Sequence, residues 1–224
     1  MSNISRPSGA ADAYSSEAAL RQDLTRLALP GTHAGCRLIM PGNEAALLPG
    51  EDTNSRGRSV AAQRATGAGR LLARELLPMM GAPAQAVARS PSGAPVWPRG
   101  VTGSIAHDDE VAVAIVGPTR SYVSLGIDLE PAGLLPADLL MTVLTPGERR
   151  KGNPDDPLHG RILFSVKEAV YKAVQPIDLA FLEFEDVEVD LVAGTAVVQG
   201  RRVVPFRVSR GLRILTLAFI PAED

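Results

Sequence analysis

Cysteine is nearly missing from this 224-residue chain; Cys36 stands alone. That excludes an intramolecular disulfide and a cysteine-based zinc cluster. Aromatic residues are scarce, at 4%, and Trp97 is the single tryptophan. No stretch reaches the roughly 18 apolar residues that cross a bilayer. The N-terminal Met-Ser-Asn-Ile-Ser-Arg-Pro has no apolar core of a secretory signal, so a cytoplasmic location is the expectation. An excess of either charge is also lacking. The 23 basic and 25 acidic side chains give a net −2, which argues against bulk nucleic-acid binding. Lysine is the rarest charged type, with only Lys151, Lys167 and Lys172 among 20 arginines. Two of those three lysines lie within four residues of one glutamate, Glu168.

What is present is an ordinary water-soluble composition, 45% hydrophobic with a mean hydropathy of +0.07. The length suffices for one large domain or two small ones with a sizeable core. Residues 1–16 are Ser-, Ala- and Pro-rich and read as a flexible N-terminus, with a short helix over 17–28. A strand is predicted over Gly35–Met40, then a long helix from Asn54 to Met80. Four prolines break up Pro83–Gly100, which is expected to be an ordered loop with a short strand. Strands follow over Val101–Ala106, Val111–Val116 and Tyr122–Glu130, helices over Pro136–Val143 and Leu158–Val174, and closing strands near Val187–Leu191, Val203–Val208 and Leu212–Phe219. Helix-then-strands occurs twice. The expectation is an α+β fold of two halves of similar plan, 17–120 and 121–224, dividing near Gly117–Tyr122.

Two acidic motifs carry the chemistry. In Gly126-Ile-Asp128-Leu-Glu130 a strand puts both carboxylates on one face, about 6.6 Å apart at the usual rise. At an effective dielectric near 20 they repel by roughly 2–3 kcal/mol. A solvated acidic edge strand is one reading. In Phe164-Ser-Val-Lys167-Glu168-Ala-Val-Tyr171-Lys172 a helix places Glu168 and Lys172 at i and i+4, and a surface ion pair is one reading there. The alternative unites the motifs. Asp128, Glu130 and Glu168 form a hard, oxygen-only donor set suited to Mg²⁺, which takes its remaining ligands from water and substrate phosphates. Lys167 or Lys172 then neutralises phosphate charge. Gly126 permits close approach of a backbone or a ligand, or marks a bulge.

The remaining candidates are less pointed. His107 leaves a strand after Ser104 and Ala106, at a polar turn able to meet a phosphate oxygen, or it is structural. Arg64 and Arg70 sit six apart on the long helix, on different faces, as solvated side chains or as contacts to a phosphate-rich ligand lying along it. Trp97 reads as the aromatic anchor of the Pro-rich loop.

Taken in order, Arg64, Gly69-Arg70, Pro95-Val-Trp97-Pro98-Arg-Gly100, Gly103-Ser104-Ile-Ala106-His107, Gly126-Ile-Asp128-Leu-Glu130, Glu148 and Lys167-Glu168-Ala-Val-Tyr171-Lys172 resemble the 4′-phosphopantetheinyl transferases, of the enterobactin-synthetase-component-D type. The resemblance implies a pseudo-twofold pair of α/β subdomains, usually in one chain and expected to be monomeric, with coenzyme A in the cleft between them. It implies transfer of the phosphopantetheine arm to a serine of an apo acyl, aryl or peptidyl carrier protein, serving siderophore or other secondary-metabolite synthesis. It assigns Mg²⁺ to Asp128, Glu130 and Glu168, the 3′-phosphate to His107, the adenine-nucleotide end to Arg64 and Arg70, and the diphosphate to Lys172. Lys167 belongs to the motif without a defined role. Glu168, or a metal-bound water it orients, is the candidate base. Relatives of this type often have Ser where this chain has Ala106, so only a backbone contact is expected there. They often have a basic residue where it has Ala94; either Arg89 or Arg99 substitutes or nucleotide affinity is lower. The apolar residues of Gln175–Phe184 are the expected carrier-docking region. An Mg²⁺-dependent phosphohydrolase and a non-catalytic coenzyme A-binding protein are the competing readings.

Overall fold

Val111–Pro118 is apolar at nearly every position and is buried at all of them. Such a strand needs cover on both faces and a neighbour on each edge. The computed structural model, which describes residues 8–51, 58–153, 155–179 and 181–223, supplies both. In chain order the elements are α1 (Ser8–Leu27), β1 (His33–Leu38), α2 (Val60–Leu76), β2 (Ala88–Arg89), β3 (Pro95–Val96), β4 (Val101–His107), β5 (Val111–Pro118), β6 (Tyr122–Pro131), α3 (Ala137–Val143), α4 (Pro146–Arg150), α5 (His159–Asp178), β7 (Val187–Asp190), β8 (Thr195–Val198), β9 (Arg202–Arg210) and β10 (Arg213–Pro221). Strand β5 is the middle of an antiparallel sheet ordered β1-β5-β4. A second antiparallel sheet runs β6-β10-β9-β8-β7. Only the turn at 119–121 separates β5 from β6, and β6 runs beside β4, so the sheets meet there.

Each sheet carries a long helix. Leu72, Ala73 and Leu76 of α2 pack on Val101, Ala114 and Val116. Ile162, Val166, Ala169, Val170 and Ala173 of α5 pack on Val189, Ala196, Val204 and Ile214. A third cluster joins the halves. Leu20, Leu24 and Leu27 of α1 cover Val113 and Ile115 from one sheet and Ile127, Leu129, Leu215 and Leu217 from the other. Ile127 and Leu129 therefore face this core, and the alternate residues Asp128 and Glu130 face α5. The architecture is α+β, as expected. Among the described residues no helix is long and apolar enough to cross a membrane.

Several boundaries differ from expectation. The stretch read as flexible enters α1 at Ser8, and residues 1–7 lie outside the described residues. Helix α2 begins at Val60, where the Ser59 hydroxyl accepts from the Ala62 amide; the predicted start at Asn54 falls on undescribed residues. Helix α5 continues through Pro176 to Asp178, because a proline in the last turn removes one amide and the helix ends at Leu179 in the left-handed region (φ 53°). Strand β8 was not predicted. It is four residues long between two turns, too short for its alternation to register.

Candidate active site

The site is built where α5 touches β6. A Cβ on Gly126 would lie 2.0 Å from the Ala169 carbonyl oxygen and 2.7 Å from the Ala173 amide nitrogen. Glycine therefore lets the helix backbone rest on the strand. Asp128 follows two residues along the same strand face, and Glu168 and Lys172 each precede one of the touched helix residues. Arg161, Ser165, Glu168 and Lys172 recur at helical spacing along one stripe. The stripe reaches down onto β6 and β10. Lys172 Nζ donates to Asp128 Oδ1 at 2.6 Å, the Ser165 and Thr216 hydroxyls are 2.9 Å apart, and Arg161 Nη1 donates to Glu130 Oε2 at 2.8 Å.

The electrostatics are those of crowded anions. Burial raises the pKa of Glu130, repulsion from Asp128 adds to it, and Arg161 opposes it. Burial likewise raises Glu168; Lys172 opposes the shift and Asp128 reinforces it. Asp128 is 4% exposed, and its Oδ2 is buried without a hydrogen-bond partner. Three carboxylates against Arg161 and Lys172 leave one negative charge. Unpaired buried charge is costly, and a hard divalent cation would relieve it. The donor set therefore fits Mg²⁺ in charge and chemistry. Its present geometry is different: among the described residues no three His, Cys, Asp or Glu side chains converge in metal-binding range. Lys172 and Arg161 sit on Asp128 and Glu130 instead.

Beside this face opens a cavity of about 550 Å³ whose walls come from both sheets. Arg89, Gly93, Trp97 and Ser104 line one side, Ser124, Tyr171 and Lys172 the other. Trp97 packs against β4, donating Nε1 to the Gly103 carbonyl at 2.9 Å. A Cβ at Gly103 would stand 2.8 Å from the indole, so this glycine too is a close-approach position. Trp97 is thus both the loop anchor and a wall of the cavity. Arg89 curls over the loop, with its guanidinium 3.2 Å from where a Gly93 Cβ would be. Of the two arginines considered as substitutes beside Ala94, Arg89 lines the cavity, and Arg99 is exposed outside it.

His107 ends β4 with its ring exposed and Nδ1 3.3 Å from the Asp108 carbonyl. Desolvation by the protein atoms on its inner side lowers its pKa, Lys172 and Arg58 push the same way, and Asp108 opposes them. Ser104 is buried along the cavity wall. Ala106 has its methyl in the core shared with α1, which leaves only its backbone for a ligand.

Three predicted ligand contacts are committed elsewhere. Lys167 is 1% exposed and points away from the cleft, with Nζ 2.8 Å from Glu148 Oε2, 2.8 Å from the Val143 carbonyl and 2.9 Å from the Phe184 carbonyl. Neighbouring helix positions lie about 100° apart, so Glu168 facing the cleft turns Lys167 inward. Arg70 is buried, and it donates to the Val87 carbonyl at 2.7 Å and the Ala88 carbonyl at 3.3 Å; burial depresses its pKa to about 10. It braces the segment leading to Arg89. Arg64 makes a two-point pair with Glu44, at 3.0 and 3.2 Å. Sequence reasoning missed Arg161, although its place seven residues before Glu168 marks the same helix face. It also missed Glu51, 0% exposed, which accepts from the Leu48 and Val87 amides and pairs with Arg74; nothing local in the sequence signals that hub.

Comparison with known proteins supplies independent evidence. Residues 57–117 match the 4′-phosphopantetheinyl transferase N-terminal domain and residues 124–204 the 4′-phosphopantetheinyl transferase superfamily. The chain is 41% identical over 119 residues to 4′-phosphopantetheinyl transferase Npt of Nocardia iowensis, covering 52% of this chain and 54% of the relative. It is 35% identical over 150 residues to Svp of Streptomyces mobaraensis (65% and 61%) and 37% identical over 134 residues to PptT of Mycobacterium tuberculosis (58% and 59%), both 4′-phosphopantetheinyl transferases. The matched part spans between about half and three fifths of each of these relatives. The two family matches together cover more than half of the chain, with Asp128, Glu130, Arg161, Glu168 and Lys172 inside the second, and the chain belongs to the 4′-phosphopantetheinyl transferase superfamily.

Proposed function

We propose that this chain transfers the 4′-phosphopantetheine arm of coenzyme A to a serine hydroxyl of an apo acyl, aryl or peptidyl carrier protein, with Mg²⁺ as cofactor and adenosine 3′,5′-bisphosphate as the second product. The observation that carries the reading is the buried, unpartnered Asp128 Oδ2 beside Glu168 and Lys172, at the wall of a cleft lined from both sheets. The serine oxygen attacks the phosphorus that bears the pantetheine arm. The bond from that phosphorus to the diphosphate bridging oxygen breaks, and the bridging oxygen leaves with the nucleotide. Asp128, Glu130 and Glu168 would hold the cation, which when bound neutralises the diphosphate and polarises its phosphoryl oxygens.

The chain's own groups do the rest. An ammonium has three donors, so Lys172 can keep Asp128 and still meet the leaving diphosphate. Glu168, with its raised pKa, suits acceptance of the serine proton, directly or through a water. A neutral His107 imidazole donates to the 3′-phosphate, and Arg89, which lines the cavity, takes the nucleotide end. The carrier approaches over Tyr171, Phe181, Leu182 and Phe184, which form an apolar hollow bordering Glu168; Phe181 is 74% exposed there. The motif order supports a place in siderophore or other secondary-metabolite assembly, in the cytoplasm where coenzyme A and apo carriers meet.

The test is incubation with coenzyme A, Mg²⁺ and an apo carrier protein. A phosphopantetheine mass gain on the carrier serine, matched by adenosine 3′,5′-bisphosphate, is the expected result. Free phosphate without carrier modification would instead identify a hydrolase, and tight coenzyme A binding without turnover a binding protein.

A further inference from the structure

Arg161 has no part in the reaction just described, yet it is the side chain seated on Glu130. Both are mostly buried, at 15% and 17% side-chain exposure. The guanidinium forks: Nη1 donates to Glu130 Oε2 at 2.8 Å and Nη2 to the Leu134 carbonyl at 2.8 Å. It therefore ties the last carboxylate of β6 to the turn that follows. Pro131, Ala132 and Leu134 of that turn are exposed. The clamp leaves the third nitrogen, Nε, buried with no partner, so the arginine itself is imperfectly satisfied where it sits.

The same carboxylate is one of the three oxygen donors of the cleft. A guanidinium and a divalent cation answer the same negative charge and draw on the same oxygen lone pairs. With Arg161 on Glu130, the three carboxylates do not converge. We propose that Arg161 competes with the divalent cation for Glu130 and thereby sets how tightly the cleft holds that cation. The inference rests on the reading that Asp128, Glu130 and Glu168 are the cation's ligands. It predicts that binding frees the Leu134 carbonyl and loosens the turn. The opposite role, a brace that presents Glu130 to the ion, predicts the opposite sign on removal.

The sign is measurable without turnover. Mn²⁺ serves as the probe, titrated by electron paramagnetic resonance into the full chain in the absence of coenzyme A and carrier. Arg161→Gln removes the charge. Arg161→Lys keeps a charge but cannot span both acceptors with one planar fork. The expected order of Mn²⁺ affinity is Gln tighter than Lys, and Lys tighter than the native arginine. The Gln variant should bind about tenfold tighter, as loss of a nearby like charge at intermediate dielectric requires, and the Lys variant about threefold, because it keeps the charge and loses only the fork. Cation-induced cleavage of the 131–136 turn by a protease should be seen in the native protein. Either variant alone is scored against the native chain if the other does not fold. Unchanged or weaker Mn²⁺ binding in a folded variant overturns the proposal, as does absence of Mn²⁺ binding in all three proteins. Failure of the carrier assay with an intact affinity order would sink the transferase reading and leave the clamp standing.

Discussion

Helices α2 and α5 occupy similar places, each laid across an antiparallel sheet with charges along its length, yet they hold those charges differently. On α2, Arg64 pairs with Glu44, Arg74 with the buried Glu51, and Arg70 with two carbonyls. Each has its partner within the scaffold. On α5, Lys167 is equally saturated, but one position further on Glu168 is desolvated between Lys172 and the like-charged Asp128, whose Oδ2 has no partner. Residue type does not separate scaffold from chemistry here; satisfaction does. The sharpest way to break this comparison is Glu168→Ala. Transfer to a carrier serine should fall by about 10³-fold, with the far-ultraviolet circular dichroism unchanged. Arg70→Met should do the reverse, keeping turnover at saturating coenzyme A while costing about 1.5–3 kcal/mol of stability through lost charged hydrogen bonds.

Lys167 tests the saturated side of α5. Replacing it by methionine leaves the Glu148 carboxylate buried and uncompensated, which costs about 3–5 kcal/mol. Guanidinium unfolding measures this. The paired change Lys167→Met with Glu148→Leu removes both charges and should recover most of the loss. A single variant as stable as the native chain would place Lys167 among the active groups after all.

How much of this could be read from the chain depended on range. Asp128, Glu130, Glu168 and Lys172 announce themselves, because alternation in a strand and i, i+4 spacing in a helix fix faces locally. The sense of Gly126 was also local, as a close-approach position. What stayed hidden was partner choice. Nothing near Lys167 indicates that Glu148, Val143 and Phe184 surround it, and nothing near Arg70 indicates the carbonyls of Val87 and Ala88. These contacts are set by how distant segments fold over a helix. The motif drew Lys167 and Arg70 towards a ligand, while the fold had already given them partners.

Gly126→Ala probes the contact that places the two motifs together. The added methyl meets helix backbone rather than a flexible side chain, so α5 must move away from β6. A loss of about 1–3 kcal/mol is expected from overpacking, together with a larger fall in kcat than in coenzyme A affinity. If kcat survives, the register of α5 on β6 is not what assembles the site.

The smallest expected effect is also the most local, and it tests whether Lys172 is felt across the cleft. His107 should titrate below the ordinary 6.5 of a free imidazole, because desolvation and the positive Lys172 and Arg58 disfavour its charged form. With the folded pKa depressed, the neutral ring's contribution to stability is fully present above 6.5 and is lost as pH falls through the folded value. Lys172→Gln removes one of the two positive charges and should move the titration upward, towards 6.5. The ring proton signals followed by NMR against pH give both values. A native pKa at or above 6.5, or one indifferent to Lys172, would separate His107 from the α5 face.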